Sequence, residues 1–352
     1  MIYHITCFTL GFLLCFLITY PVRRLAMSRG FLDRPGERKL HRTAVPYGGG
    51  VGIYLSLVIT FIVLYHLYPP AFLFKDKIMG LIIGGLLALL IGLWDDLRGS
   101  GALFKFSAET LIAIIMYYFG FRIERMSIPG MGSVTLGWMG IFITIFWFWI
   151  MMNAINLIDG LDGLAVGVTC IAAVTILVIT HQKGRPFDAF LALSLAGVCL
   201  GFLPHNFHPA RIFMGDAGSL ILGFFLASLT LTTSTKAPAL LTLLIPLLAV
   251  GMPLFDTTHA FLRRIFSGRH PFRADKKHLH HRLLALGLSQ RRAVLLLYYI
   301  SAYLGVMAYV LSRASAQLTL LVVVLLMIGL FLVAENITVL SRSNEKKDQD
   351  ST

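Results

Sequence analysis

Five carboxylates and the residues around them set the chemistry open to this sequence. Asp159 and Asp162 stand in Asn153-Ala-Ile-Asn-Leu-Ile-Asp-Gly-Leu-Asp-Gly163, a polar stretch between two apolar runs, 140–152 and 164–180. Ionisable side chains beside such runs are costly and mark a site, and the interleaved glycines let the backbone turn tightly and approach a ligand. Asp95 and Asp96 are adjacent at the end of another apolar run, with Lys105 nine residues beyond Asp96. Neighbouring carboxylates repel unless a cation or a proton lies between them, which points to metal or phosphate chemistry. The fifth, Asp216, lies in Phe213-Met-Gly-Asp-Ala-Gly-Ser219. Entering a helix, this segment offers a carboxylate and free backbone N–H groups to a phosphate and its metal; an N-cap with a flexible turn is the plainer alternative.

Two basic segments complete the set. Lys276-Lys-His-Leu-His-His-Arg282 has three histidines with no carboxylate beside them. That is a weak zinc site and a better cationic, hydrogen-bonding cradle for pyrophosphate and sugar, against a solvated basic loop as the alternative. Near the start, Arg38-Lys39-Leu40-His41 leads to Pro46-Tyr-Gly-Gly-Gly50. No Gly-Lys-Ser/Thr follows these glycines, so a P-loop is excluded.

The elements that must position these residues are membrane helices. The chain of 352 residues is 57% hydrophobic and 13% charged, with a mean hydropathy of +0.80, which marks an all-α polytopic membrane protein. At about 20 apolar residues per crossing, eleven spans are predicted: 3–22, 48–68, 78–94, 102–119, 138–155, 163–180, 188–203, 217–233, 239–261, 293–312 and 317–335. The first lacks a basic leader and a cleavage site and reads as a retained helix. With the N-terminus outside and the C-terminus in the cytoplasm, 22 of the 30 Lys and Arg fall on the inner side, as the positive-inside rule requires. All the polar clusters then lie on the cytoplasmic face. The protein reads as one integral-membrane domain, 1–336, in the plasma (inner) membrane, with a polar tail, 337–352, expected to be disordered. Residues 122–137 read as a small outer hairpin. Asp256 is read as structural or functional with equal weight. Four cysteines scattered through apolar runs suggest neither disulfides nor zinc. The net charge of +13 is assigned to orientation and anionic lipid headgroups, since no basic stretch interleaves with aromatics as nucleic-acid binding requires.

Carboxylates for a divalent cation, basic groups for phosphates and an apolar slot suit phosphoryl transfer between a soluble nucleotide-activated group and a lipid phosphate. The same residues carry a resemblance. Asp95-Asp96, the Asn-x-x-Asn-x-x-Asp-Gly-Leu-Asp-Gly-Leu stretch ending at Leu164, Phe-Met-Gly-Asp-x-Gly-Ser and His278-Leu-His-His281 together resemble the polyprenyl-phosphate N-acetylhexosamine-1-phosphate transferases. The histidine loop and Lys39-x-His41…Pro46…Gly48-Gly49 point to their WecA/TagO branch rather than to the MraY branch. The resemblance implies that Asp216 binds Mg²⁺, with Mn²⁺ as a substitute and Asn156 as second ligand. It implies that Phe213 stacks on uracil while Gly160, Leu161 and Asp162 line the uridine pocket. Lys105 would meet phosphate oxygens, His278, His280, His281 and Arg282 would cover the pyrophosphate and sugar, and Asp95 and Asp96 would handle the lipid phosphate. Asp159 joins the catalytic carboxylates, and Lys39, His41 and Asn153 join the substrate-binding set. Glu109 departs from the glutamine expected four residues after the lysine.

The implied reaction moves GlcNAc-1-phosphate from UDP-GlcNAc to undecaprenyl phosphate, releasing UMP and starting an O-antigen, common antigen or wall teichoic acid. Another UDP-N-acetylhexosamine or a MraY-like donor remains an alternative, and a homodimer is left open. The CDP-alcohol phosphatidyltransferases share Asp-x-x-Asp-Gly, but the Ala-Arg they require falls on Val166-Gly167 and their later Asp pair on Thr180 and Gly184. A nucleotide-sugar or lipid transporter would place charges at the midplane of symmetric halves, a pattern absent from this sequence.

Overall fold

A backbone that leaves water must satisfy its own N–H and C=O groups, so long apolar runs become helices. The computed structural model describes residues 2–34, 43–68, 74–128, 132–181, 184–233, 279–315, 317–329, 331–333 and 336. Its helices are α1 (Ile2–Ser28), α2 (Gly49–Leu67), α3 (Lys75–Arg98), α4 (Ala102–Tyr118), α5 (Met139–Ile158), α6 (Leu164–His181), α7 (Pro186–Asn206), α8 (Gly215–Thr233), α9 (Leu279–Ala285), α10 (Gln290–Leu311) and α11 (Gln317–Val333). Eight of them (α1, α2, α3, α5, α6, α7, α8 and α10) are long and apolar enough to cross a membrane, and the chain is a multi-pass membrane protein. Helices α4 and α11 are 17 residues long, about 25 Å at 1.5 Å per residue and so shorter than the hydrocarbon core of a bilayer. The spans expected at 78–94 and 188–203 are longer than predicted, running 24 and 21 residues. In the first, Asp95 and Asp96 belong to the final turns rather than following the helix. The predicted ninth span (239–261), Asp256 and the tail 337–352 lie outside the described residues.

Helix α8 is the central stave. Every residue from Ala217 to Thr232 is buried, and α2, α3, α5, α6 and α7 all pack on it. Trp147 of α5 donates its indole N–H to Thr230 in this core (2.7 Å), so even the tryptophan's polar atom is satisfied away from water.

Two ribbons accompany the helices. The predicted hairpin is present as β3 (Arg125–Ile128) paired antiparallel with β4 (Gly132–Thr135). A second ribbon, β1 (Leu32–Asp33) with β2 (Val45–Pro46), was not expected. It docks on the approach to α8: the Phe213 N–H donates to the Pro46 carbonyl (2.9 Å), and the Gly49 N–H donates back to the Phe213 carbonyl (3.0 Å).

Candidate active site

At one end of the bundle the C-terminal ends of α3, α5 and α7 meet the N-terminal ends of α8 and α10 around a cavity of about 730 Å³. The β1–β2 ribbon forms part of its wall. Asp95 and Asp96, Asn156, the turn Asp159–Asp162, Phe213 and Asp216 all line it. Residues spread over more than 120 positions of sequence are thus brought to one space.

Asp216, in the first turn of α8, is its centre. Its Oδ1 accepts the amide N–H of Asn156 (2.8 Å) and its Oδ2 the ammonium of Lys105 (2.8 Å). The same ammonium pairs with Asp95 Oδ2, so Lys105 bridges two of the expected carboxylates instead of standing free. Asp95 Oδ1 takes both the backbone N–H and the hydroxyl of Ser100 (2.6 and 2.5 Å), which fixes the α3–α4 connection. Asn156 also donates to Ser219 (2.8 Å), locking α5 onto α8.

Asp96 corrects one expectation. The N–H groups at the start of α8 are not free for a phosphate: Asp216 N donates to Asp96 Oδ1 (2.7 Å) and Ala217 N to Asp96 Oδ2 (3.2 Å). A carboxylate from α3 therefore caps α8 across the interface, satisfying donors that a helix start leaves open and complementing its dipole. The adjacent carboxylates face different partners, Asp95 a lysine and Asp96 a helix end.

Close approach makes this possible. A Cβ on Gly92 of α3 would sit 2.8 Å from Asp216 C, and one on Gly50 of α2 would sit 2.5 Å from Gly218 N. Only glycine lets α2 and α3 press against the first turn of α8.

Asp159 caps the end of α5 and faces the cavity. Burial raises its pKa well above the ordinary carboxylate range, with Asp216, Asp96 and Asp162 adding to the rise. Asp162 is held through one oxygen: Oδ2 accepts from His208 Nδ1 (2.8 Å) and from Ala210 N (3.0 Å). Gly160 is exposed and Leu161 almost fully buried. Phe213 lies beside Tyr47, ring centroids 6.3 Å apart and tilted by 54°.

Other expected residues lie off the cavity or outside the description. Asn153 turns away, donating to Glu109 Oε2 (2.7 Å) and to the Trp149 carbonyl (2.9 Å). Arg282 is buried in α9. Lys39, His41 and His278, and the side chains of His280 and His281, lie outside the described residues.

The structure also adds residues that pattern reading did not select: Asp33 of the first ribbon and Tyr47 just after it, Asn206 at the end of α7 and His208 beyond it, and Gln290 at the start of α10. Tyr47 hydrogen-bonds Asp33, and burial together with that carboxylate raises the phenol's pKa. The available signal was their position on the same predicted face as the chosen clusters.

Among the described residues no three His, Cys, Asp or Glu side chains converge as a metal site. The donor set still fits Mg²⁺. That ion is held by one or two carboxylates, with waters and substrate phosphates filling the remaining positions. The same oxygens already hold a cation, the Lys105 ammonium between Asp95 and Asp216.

An acid-rich cavity at the end of an apolar bundle, with one bridging lysine, is the construction of a membrane enzyme acting on phosphates. Residues 78–234 match glycosyl transferase family 4, and the chain belongs to that family. Over 336 residues it is 36% identical to a probable undecaprenyl-phosphate N-acetylglucosaminyl 1-phosphate transferase of Bacillus subtilis, covering 95% of this chain and 92% of that protein. It is 35% identical over 321 residues to the decaprenyl-phosphate N-acetylglucosaminephosphotransferase of Mycobacterium tuberculosis, covering 84% and 79%. With the undecaprenyl-phosphate alpha-N-acetylglucosaminyl 1-phosphate transferase of Escherichia coli it shares 29% over 300 residues, covering 84% and 80%.

Proposed function

We infer that this protein is a polyprenyl-phosphate GlcNAc-1-phosphate transferase that moves GlcNAc-1-phosphate from UDP-GlcNAc to undecaprenyl phosphate and releases UMP. The enzyme class and the polyprenyl phosphate substrate follow from its relatives. Undecaprenyl rather than decaprenyl is our choice, supported by the Bacillus subtilis alignment, which spans nearly the whole of both chains. The product would begin a cell-surface polysaccharide, with the site facing the cytoplasm where UDP-sugars are made. The observation that carries the reading is that Asp216, Asn156 and Asp95 line one cavity at the ends of membrane helices, with Lys105 bridging the two carboxylates.

In this reading Asp216 and Asn156 hold Mg²⁺, which when bound neutralises charge on the donor diphosphate. Asn156 must then turn its amide oxygen inward, because its nitrogen now faces Asp216. Lys105, relieved of Asp216, keeps Asp95 as partner and offers its ammonium to phosphate oxygens. Asp96 keeps the first turn of α8 in place throughout. The acceptor is already an anionic nucleophile near neutral pH, since the second pKa of a phosphate ester is about 6. A covalent phospho-enzyme would relieve little difficulty, and positioning is the main task. Transfer is therefore direct, within a ternary complex.

The test uses purified protein, a panel of UDP-sugars, and undecaprenyl or decaprenyl phosphate, with UMP release as readout. UDP-GlcNAc with undecaprenyl phosphate should be turned over fastest. UMP release from no lipid phosphate would sink the reading. Exchange of labelled UMP into UDP-GlcNAc at near-turnover rate without lipid phosphate would replace direct transfer by a phospho-enzyme.

A further inference from the structure

His208 belongs to none of the motifs that mark the site, yet the structure builds it into the cavity wall. It follows the end of α7, and three elements converge on it. Its Nδ1 donates to Asp162 Oδ2 (2.8 Å), to which Ala210 N also donates (3.0 Å). Its carbonyl accepts the guanidinium Nε–H of Arg291, at the start of α10 (3.0 Å). Beside it, Asn206 accepts the Gly163 N–H (3.1 Å) and donates to the Ile212 carbonyl (3.0 Å), while Tyr298 of α10 donates to the Gly163 carbonyl (2.5 Å). The turn after α5, the loop after α7 and the start of α10 are therefore stitched together around one carboxylate.

The stitching is asymmetric. Both donors use Asp162 Oδ2, and among the described residues no hydrogen bond is made to Oδ1. A carboxylate oxygen has two acceptor sites, and two donors fill them on Oδ2. The residue lines the cavity, so Oδ1 is the acceptor left for a ligand. A carboxylate free to rotate would present either oxygen; one pinned by an imidazole and a backbone N–H presents one.

We propose that His208 is a positioning residue for the nucleotide-sugar donor: its Nδ1–H and the Ala210 N–H fix Asp162 so that Oδ1 accepts a hydrogen bond from an N–H or O–H of the donor. The proposal rests on the transferase reading above and adds to it a residue and a division of labour. Asp216 and Lys105 act on phosphates, whereas the Asp162–His208 pair acts on donor binding alone.

The test is a KM–kcat split with rescue. In His208→Ala the donor KM should rise about tenfold, the worth of one fixed hydrogen bond to a charged group. The kcat and the undecaprenyl phosphate KM should stay within about twofold of wild type. Asn places an amide N–H on Cγ, as histidine does with Nδ1, so His208→Asn should restore the donor KM to within about threefold. An Asn variant as weak as the Ala variant overturns the proposal. So does a fall in kcat at unchanged donor KM, a rise confined to the acceptor KM, or an Ala variant that behaves as wild type. If His208→Ala is lost in purification, His208→Ser replaces it. Lower melting temperatures in either variant with an unchanged donor KM would make His208 a structural staple and likewise overturn the proposal. A wild-type enzyme that releases no UMP instead defeats the transferase reading, so the two failures are distinguishable.

Discussion

Replacing Gly92 by alanine tests the idea that the site is set by helix approach rather than by its side chains alone. The added Cβ would lie 2.5 Å from Ala217 N and 2.8 Å from Asp216 C. Ordinary contacts of this kind are about 3.5 Å, so the first turn of α8 must retreat by roughly 1 Å. Both atoms are backbone, and no rotamer change relieves the clash. Asp96 lies one turn further along the same helix, and its bonds to Asp216 N and Ala217 N, now 2.7 and 3.2 Å, would stretch toward or past the hydrogen-bond limit. Asp216 would move against Asn156 and Lys105 at once. A misplacement of about 1 Å costs about 10²-fold in rate, equivalent to about 2.7 kcal/mol. Overpacking itself destabilises by about 1–3 kcal/mol. The assay is UMP release by protein purified in detergent, with the melting temperature measured in parallel. Gly101→Ala, where a Cβ meets nothing within 4 Å, should stay within about twofold of wild type. A Gly92→Ala enzyme with wild-type kcat/KM and an unaltered melting temperature would refute the reasoning.

Further outcomes follow from the same geometry. Asp216→Asn sets its amide nitrogen against a donor in either orientation, Asn156 or Lys105, and should lower kcat by at least about 10²-fold while the protein still inserts; activity near wild type would reassign the metal ligand. Chelation by EDTA should abolish turnover in the wild type and Mg²⁺ or Mn²⁺ should restore it, since oxygen donors suit both; persistence in EDTA would remove the metal from the mechanism. Asp159 has a raised pKa from burial and three nearby carboxylates, so the folded state binds its proton more tightly than the unfolded chain. Stability from that proton is present at low pH and declines as pH rises from about 4. In metal-free buffer Asp159→Asn should therefore gain in melting temperature over wild type as pH rises from 4 to 8, and a difference independent of pH would contradict the assignment. A reporter at Ser343 should be cytoplasmic and one near Lys183 extracytoplasmic; both on one side would break the predicted topology.

The sequence by itself determined the class of the protein and singled out the five carboxylates that line the cavity. Apolar runs of sufficient length leave a backbone no option but helix, so ten of the predicted spans coincide with helices, eight of them long and apolar enough to cross a membrane. The motif carboxylates were legible because charge next to such runs is costly and stands out against them. Partnership was not legible, since it depends on the distance between helices far apart in sequence. Nothing in Asp95-Asp96 says that one carboxylate takes a lysine and the other caps a helix 120 residues later. Nothing in Asn153 says that it faces Glu109 instead of the cavity. Asp33 and Tyr47 were hidden because a two-residue ribbon carries too short a pattern to read, and His208 because a histidine before a proline resembles any loop residue. Those assignments depend on tertiary packing: α2 and α3 approach the start of α8 at Gly50 and Gly92, α4 meets α5 at Glu109 and Asn153, and the loop after α7 meets the turn after α5 at His208 and Asp162. That packing brings five acidic positions to one cavity, where Asp95 and Asp216 share Lys105, Asp96 caps α8 and Asp162 takes His208.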